Sequence, residues 1–374
     1  MRHFYKGNML ITILLFTFFT LILSSCDVKQ SNTPSDKEAK DKKIEKTILP
    51  PISPSEGEFI QVFGWINNHT ICYAANLKGD YELYTYNLHT GKHTSIFKSE
   101  FELANVLIND NYILVYSILS DSEGEIHIID STGKKLVAKT IQSHETEFSW
   151  NPYNDNEILI TTFSAEWESR VYKLEIKESA LSEFFKSTPF PQWISDREVM
   201  YLDWDQEDPS LYAPLKLLNT ETEEEKEINL HSIYFIDKKN EFIITVSSNL
   251  DNSNEAIYSF YKEDLEKKAS ISIPRLSTFS NWLIPNYTIY EDQLLTFVPR
   301  KEGNADTYQD GYDLVSINME SGDTTILLPD LDIENQPIQI SSDGKYCLYG
   351  YYFENLIDTE TGEIINLFPS ISQS

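Results

Sequence analysis

One phrase recurs through most of this 374-residue chain and limits what it can fold into. It is a β-rich run closed by Asn or Asp, a Thr/Ser-Gly turn, and a second short run. It reads Leu83-Tyr84-Thr85-Tyr86-Asn87 before Thr90-Gly91-Lys92, and Ile126-His127-Ile128-Ile129-Asp130 before Thr132-Gly133-Lys134. It returns as Leu314-Val315-Ser316-Ile317-Asn318 before Ser321-Gly322-Asp323, and as Leu356-Ile357-Asp358 before Thr361-Gly362-Glu363. Weaker copies stand at Val171 to Ile176, Leu215 to Asn219 and Ile257 to Tyr261. Anchored on Asn87, Asp130, Glu175 and Asn219, the steps are 43, 45 and 44 residues, and Asn318 to Asp358 is 40.

A second phrase precedes it in every unit: an aromatic or aliphatic residue, a polar turn, then a strongly apolar run. Trp65 to Tyr73, Leu107 to Tyr116, Trp150 to Thr161 and Trp193 to Leu202 are followed by Phe235 to Thr245, Trp282 to Phe297 and Ile340 to Tyr349. Runs rich in Ile, Val, Tyr and Phe between Asn/Asp/Ser/Gly turns predict strands, and no ten-residue segment here has helical periodicity. Units of 40 to 50 residues with four strands each are the mark of a β-propeller. A four-stranded blade is too small to bury its own faces, and stacking blades in a ring covers both. The expectation is therefore all-β, a single β-propeller over 58–374 with seven four-stranded blades favoured and six possible. A pair of β-sandwiches would leave the regular spacing unexplained.

Upstream the text is different. Arg2 and Lys6 precede a stretch from Met9 to Leu23 with no charge, fifteen residues where a spanning helix needs roughly 20. That is the layout of a secretory signal peptide over 1–25. Its end, Leu23-Ser24-Ser25-Cys26, resembles a bacterial lipobox. The resemblance implies cleavage between Ser25 and Cys26 and a diacylglycerol on the Cys26 sulfur. The competing reading is an uncleaved N-terminal anchor, and either puts the rest of the chain outside the cytoplasmic membrane. Two acyl chains give stable anchoring where one does not. Residues 26–57, rich in Lys and polar residues and carrying Pro50, Pro51 and Pro54, read as a tether. Its coil spans roughly 30 Å r.m.s..

Charge narrows the partners. Thirty Lys and Arg against 59 Asp and Glu give a formal net charge of −29. Such a domain is repelled by phosphates, which argues against nucleic acid and anionic headgroups. The acidity reads as a solvated surface, the other reading being an acidic groove for cations or a basic partner.

Chemistry-bearing motifs are sparse. Beyond Cys26 only Cys72 and Cys347 remain, each inside an apolar run and without a Cys-x-x-Cys spacing. Both are expected to be buried free thiols. They fall in the first and last units, so ring closure is expected to bring them near each other without a bond. Beyond His3 in the signal segment the histidines are His69, His89, His93, His127, His144 and His231, with His89 and His93 flanking one turn and no third ligand nearby. No nucleophile elbow, His-Glu-x-x-His or phosphate loop occurs. Asp203, Asp205, Glu207 and Asp208 crowd one loop and Asp306, Asp310 and Asp313 another, without the spacing of a calcium loop. No catalytic residue, metal or cofactor is expected. The reading is a membrane-anchored, non-catalytic binding or scaffolding module at the envelope of a Gram-positive bacterium. Its partner would be a protein or an envelope polymer. The alternative is a lyase- or lactonase-type enzyme with its site in the central channel.

Two turns carry a further resemblance. Trp193-Ile194-Ser195-Asp196 and Ser341-Ser342-Asp343-Gly344-Lys345 are similar to the Trp-Ser-Pro-Asp-Gly-Lys repeat of TolB-type propellers, with the Pro absent. The whole chain, lipobox, Lys-rich tether and acidic Tyr-rich repeats, resembles the YqgU-like lipoproteins of Bacillus-type bacteria. That resemblance implies a propeller of six blades and brings no activity with it.

Overall fold

The computed structural model describes residues 57–184, 189–205, 210–230, 233–278, 281–328 and 333–368. The signal peptide, Ser25, Cys26 and the tether up to residue 56 lie outside the described residues. Seven four-stranded antiparallel sheets follow one another along the chain, each built from consecutive strands except the sixth, where Gly303–Asn304 between its second and third strands pairs with Leu276–Ser277 instead. They occupy residues 58–99, 103–142, 145–183, 192–227, 233–274, 287–328 and 338–366. Each is one blade, numbered one to seven. The chain is all-β, and a 3-10 turn at Ala305–Thr307 is the one helical element among the described residues.

Burial within a blade follows strand order. Second strands such as Thr70–Leu77, Glu157–Phe163 and Phe242–Ser248 hold five or six consecutive buried residues. A strand covered on both faces must be apolar at every position, which is why these runs show no alternation. Fourth strands carry the opposite text, and Glu225–Glu227 is exposed throughout. The recurring Asn/Asp at the end of the third strand closes the hairpin through its side chain. Asn87 Oδ1 accepts from Thr90 N at 2.9 Å, Asp130 from Thr132 N at 2.9 Å, and Asn318 from Ser321 N at 2.9 Å. The repeat is thus a repeat of turns, fixed because a short polar side chain must stand in for the backbone acceptor.

Seven buried clusters lie between the blades. Leu83 and Cys72 of blade one meet Val115 and Ile129 of blade two, and Leu114 and Ile128 meet Ile160 and Leu174 of blade three. The series continues through Trp193, Leu215, Phe260 and Leu295. It ends with Ile71, Tyr73 and Ala75 of blade one against Leu348, Leu356 and Phe368. Seven interfaces for seven blades make a closed ring. Among the described residues no strand is exchanged at the seam. It is held by packing, by Phe59 stacked on Phe368 at 3.5 Å, and by Val62 N donating to Tyr352 O at 2.9 Å.

Two expectations need correction. Cys72 and Cys347 are both buried free thiols, as the sequence suggested. They do not face each other: Cys72 lies in the interface of blades one and two, Cys347 in that of blades six and seven. Neighbouring positions on a strand point to opposite faces, so Ile71, Tyr73 and Leu348 fill the seam and the cysteines turn away from it. Trp282 does not open the first strand of blade six. That strand is Tyr287–Tyr290, while Trp282–Leu283 pairs with Leu276–Ser277 in a small separate sheet.

Candidate functional site

The first strands converge on the ring's axis. Blades one, two, three, four, five and seven contribute them to the wall of a cavity of about 1170 Å3. It opens at the end where first strands turn into second strands, and those turns supply Asn109, Asn111, Asn151 and Asn240 to its rim. The recurrent tryptophans line it and also hold it. The indole N–H of Trp65 donates to Gln339 O in the adjoining blade at 2.9 Å, and that of Trp193 to Ser149 O at 3.0 Å. Trp150 donates to Asp155 O within its own turn at 2.9 Å.

One charged group spans the mouth. Lys238, in the first strand of blade five, keeps its side chain only 2% exposed, and its Nζ stands 3.1 Å from Glu263 Oε1. The same ammonium donates to Asn240 O and sits 5.3 Å from the centre of the Tyr153 ring. Tyr153 belongs to the first turn of blade three, and its hydroxyl donates to Glu263 across blade four. Burial lowers the Lys238 pKa, although Glu263 opposes this. Burial pushes the Glu263 carboxyl up, but hydrogen bonds from Tyr153 and Lys238 take it below the usual range. Burial and the Glu263 carboxylate raise the Tyr153 phenol. On the neighbouring rim Asn111 donates to Asp155 Oδ2 at 2.6 Å, joining blades two and three.

Gln192 and Asp237 line this cavity and also a second one, of about 430 Å3, at the opposite end of the axis. Asp237 Oδ2 accepts from the Tyr287 hydroxyl at 2.5 Å and Oδ1 from Lys238 N at 2.7 Å. The two cavities therefore share an amide and a carboxylate in their walls. The wide chamber offers amides, carboxylates and half-covered aromatic rings, a surface for hydrogen bonding and stacking.

A family model described as a YqgU-like 6-bladed β-propeller domain matches residues 87–350. The chain belongs to that family. The uncharacterized lipoprotein YqgU of Bacillus subtilis strain 168 is 26% identical over 352 residues, 93% of this chain and 95% of the relative. The crystal structure of an uncharacterized protein from Listeria monocytogenes EGD-e superposes with a TM-score of 0.77 at 24% identity. It covers 85% of this chain and 97% of its own. The propeller domain of the trilobed protease of Pyrococcus furiosus, described by its open velcro topology, gives 0.57 at 12% identity over 83% and 97%. These two likenesses show the fold. The family is described with six blades; this YqgU-like chain forms seven four-stranded sheets.

The residues that the sequence singled out are scattered over this propeller. His89 Nε2 meets His69 Nδ1 at 3.1 Å, joining two turns of blade one, while His93 packs on Tyr84. His127 is buried between blades one and two against Phe97, with Nε2 3.0 Å from Glu125. His144 is exposed, and His231, Glu207 and Asp208 lie outside the described residues. Asp203 pairs with Lys216 at 2.6 Å, Asp310 with Lys301 at 3.0 Å and Asp313 with Arg300 at 3.0 Å. The acidic loops thus turn to basic side chains instead of to one another. Among the described residues no group of three or more His, Cys, Asp and Glu is placed to hold a metal ion. Sequence reasoning missed Lys238, Glu263 and Tyr153. The only trace of them was Lys238-Lys239 at the end of blade five's first strand, where blades one, three and four carry Trp65, Trp150 and Trp193.

Proposed function

We propose that this protein is a membrane-anchored extracytoplasmic lipoprotein whose propeller is a non-catalytic binding module, with its ligand seated in the wide chamber. The anchor is the diacylglycerol on Cys26, and the lipoprotein of Bacillus subtilis supports it. The binding reading rests on one observation: six blades bring turns and first strands to a single open cavity of about 1170 Å3. That volume exceeds the range of about 300–1,000 Å3 usual for small-molecule sites. It suits a segment of an envelope polymer or a loop of a partner protein on the outer face of a Gram-positive membrane. Lys238 argues for binding over bond breaking, because Glu263 and Asn240 already engage its ammonium.

The test is photocrosslinking in growing cells. A benzophenone amino acid in place of Asn111, on the rim, is expected to give a discrete adduct. One in place of Lys226, on an outer strand, should give none. Adducts of equal yield from both positions, or none from Asn111, would reject the wide chamber as the binding surface.

A further inference from the structure

The smaller chamber is chemically unlike the wide one. Phe190, Trp204, Tyr234, Phe235 and Tyr287, drawn from blades four, five and six, surround its 430 Å3. Four of these rings have fixed partners. Tyr234 donates its hydroxyl to Trp282 O at 2.9 Å and accepts from Trp282 N at 3.1 Å. Phe235 and Tyr287 meet edge to face at 6.2 Å with planes 80° apart. Phe190 forms the rim, 49% exposed, with φ at 57°. A bulky residue rarely adopts that left-handed conformation, and where it does, function is a common reason. Here it presents the ring at the opening, braced by Phe163 at 5.6 Å.

The polar groups in the wall are Gln192 and Asp237. The Asp237 carboxylate receives two hydrogen bonds, and a carboxylate has roughly four acceptor sites. Lys238, one residue on, directs its ammonium away to Glu263. The negative charge at the floor thus faces aromatic walls, and among the described residues the cation that feels it, Lys238, is ion-paired to Glu263 instead. Aromatic faces attract cations through their quadrupole, most strongly where water is excluded. A bare metal ion is a poor fit, since calcium wants six to eight oxygens and these walls are mostly carbon. An anion is repelled by Asp237. A neutral apolar guest would leave the carboxylate buried without compensation. The ligand class that satisfies rings and carboxylate together is a cation clad in carbon.

We propose that this chamber binds a quaternary ammonium group, its charge held by Asp237 and its methyl groups by the five aromatic rings. The site shares Gln192 and Asp237 with the wall of the wide chamber, but its aromatic rings belong to it alone. The two readings are tested by different probes, crosslinking at Asn111 and choline titration, so the failure of one leaves the other standing. The group has two sources, a free trimethylammonium compound or the phosphocholine head of a lipid.

The test is calorimetric titration of the full chain, lipid anchor included, in a maltoside micelle. Choline and its neutral isostere 3,3-dimethyl-1-butanol are the two probes. Saturable one-to-one binding of choline is expected, with the alcohol at least tenfold weaker. Asp237→Asn should weaken choline at least tenfold and leave the alcohol unchanged. Asp237→Asn also removes an acceptor of Tyr287, so Phe190→Ala, on the exposed rim, serves as a second variant and should weaken choline several-fold at an unaltered melting temperature. Equal affinity for both probes, no saturable choline binding at millimolar concentration, or choline affinity unchanged in both variants would overturn the proposal. Titration with monomeric dodecylphosphocholine then separates the sources. Preference for choline identifies the free cation and preference for the phosphocholine a headgroup, each upholding the site.

Discussion

Replacing Phe368 by Ala probes the seam where the ring closes. Phe368 is 2% exposed, stacks on Phe59 at 3.5 Å and meets Tyr73 edge-on at 6.3 Å. Among the described residues no exchanged strand shares the task, so side-chain packing carries the seam together with the Val62 and Trp65 hydrogen bonds. A buried Phe→Ala change costs about 3–5 kcal/mol, transfer and cavity together. Unfolding entropy near 60 °C is about 2.1 cal/mol/K per residue, or roughly 0.65 kcal/mol/K for a domain of some 310 residues. A loss of about 4 kcal/mol therefore lowers the melting temperature by about 6 °C. Calorimetry and tryptophan fluorescence should record the same single transition, because each blade buries its faces only against two neighbours. The reasoning fails if the loss is under 1 kcal/mol. It also fails if a separate early transition reports blade seven unfolding while the rest stays intact.

Three further outcomes are expected. Burial holds the His127 imidazole below its ordinary 6.5, with Lys135 adding to this and Glu125 opposing it. The unfolded chain then binds the extra proton first, so the stability due to neutral His127 is complete above pH 6.5 and declines as pH falls below it. Denaturant melts at pH 7 and pH 5 should show a smaller acid loss for His127→Gln than for the unmodified chain; equal losses would refute this. Gly133→Ala should destabilise by several kcal/mol in the same melts, since φ is +89° and a Cβ would stand 2.2 Å from the Ile96 carbonyl oxygen of blade one; unchanged stability would refute the close approach. Cys26→Ala should abolish incorporation of labelled fatty acid and leave the precursor uncleaved, and equal labelling of the variant would dismiss the anchor.

Much of the fold was legible because its repeat is imposed by turn chemistry. Asn87, Asp130, Asn219, Asn318 and Asp358 each cap a hairpin with a side-chain oxygen, so the same residue types return at the same interval. Trp282 misled because a tryptophan in an apolar run reads alike in a first strand or in a side sheet. The cysteines misled because alternation along a strand says which residues share a face, not which neighbour that face meets. The cluster at the wide mouth was illegible for a different reason. Tyr153 and Glu263 lie 110 residues apart in two turns, and only the curvature of the ring brings them together. Lys238 stands in a polar tetrad, Asp237-Lys238-Lys239-Asn240, three of its residues charged, whose sequence reads as a solvated turn. Its burial follows from Tyr153 and Glu263 closing over it.

Each blade is a single stretch of chain, and among the described residues none borrows a strand from its neighbour across the seam. A gene coding for such a ring can gain or lose a whole unit through one in-frame duplication or deletion of some 43 codons, with every surviving hairpin left in register. A propeller latched by an exchanged strand has no such freedom at its ends, since any change there must preserve the shared blade. The six blades in the family's description and the seven of this chain differ by one such unit.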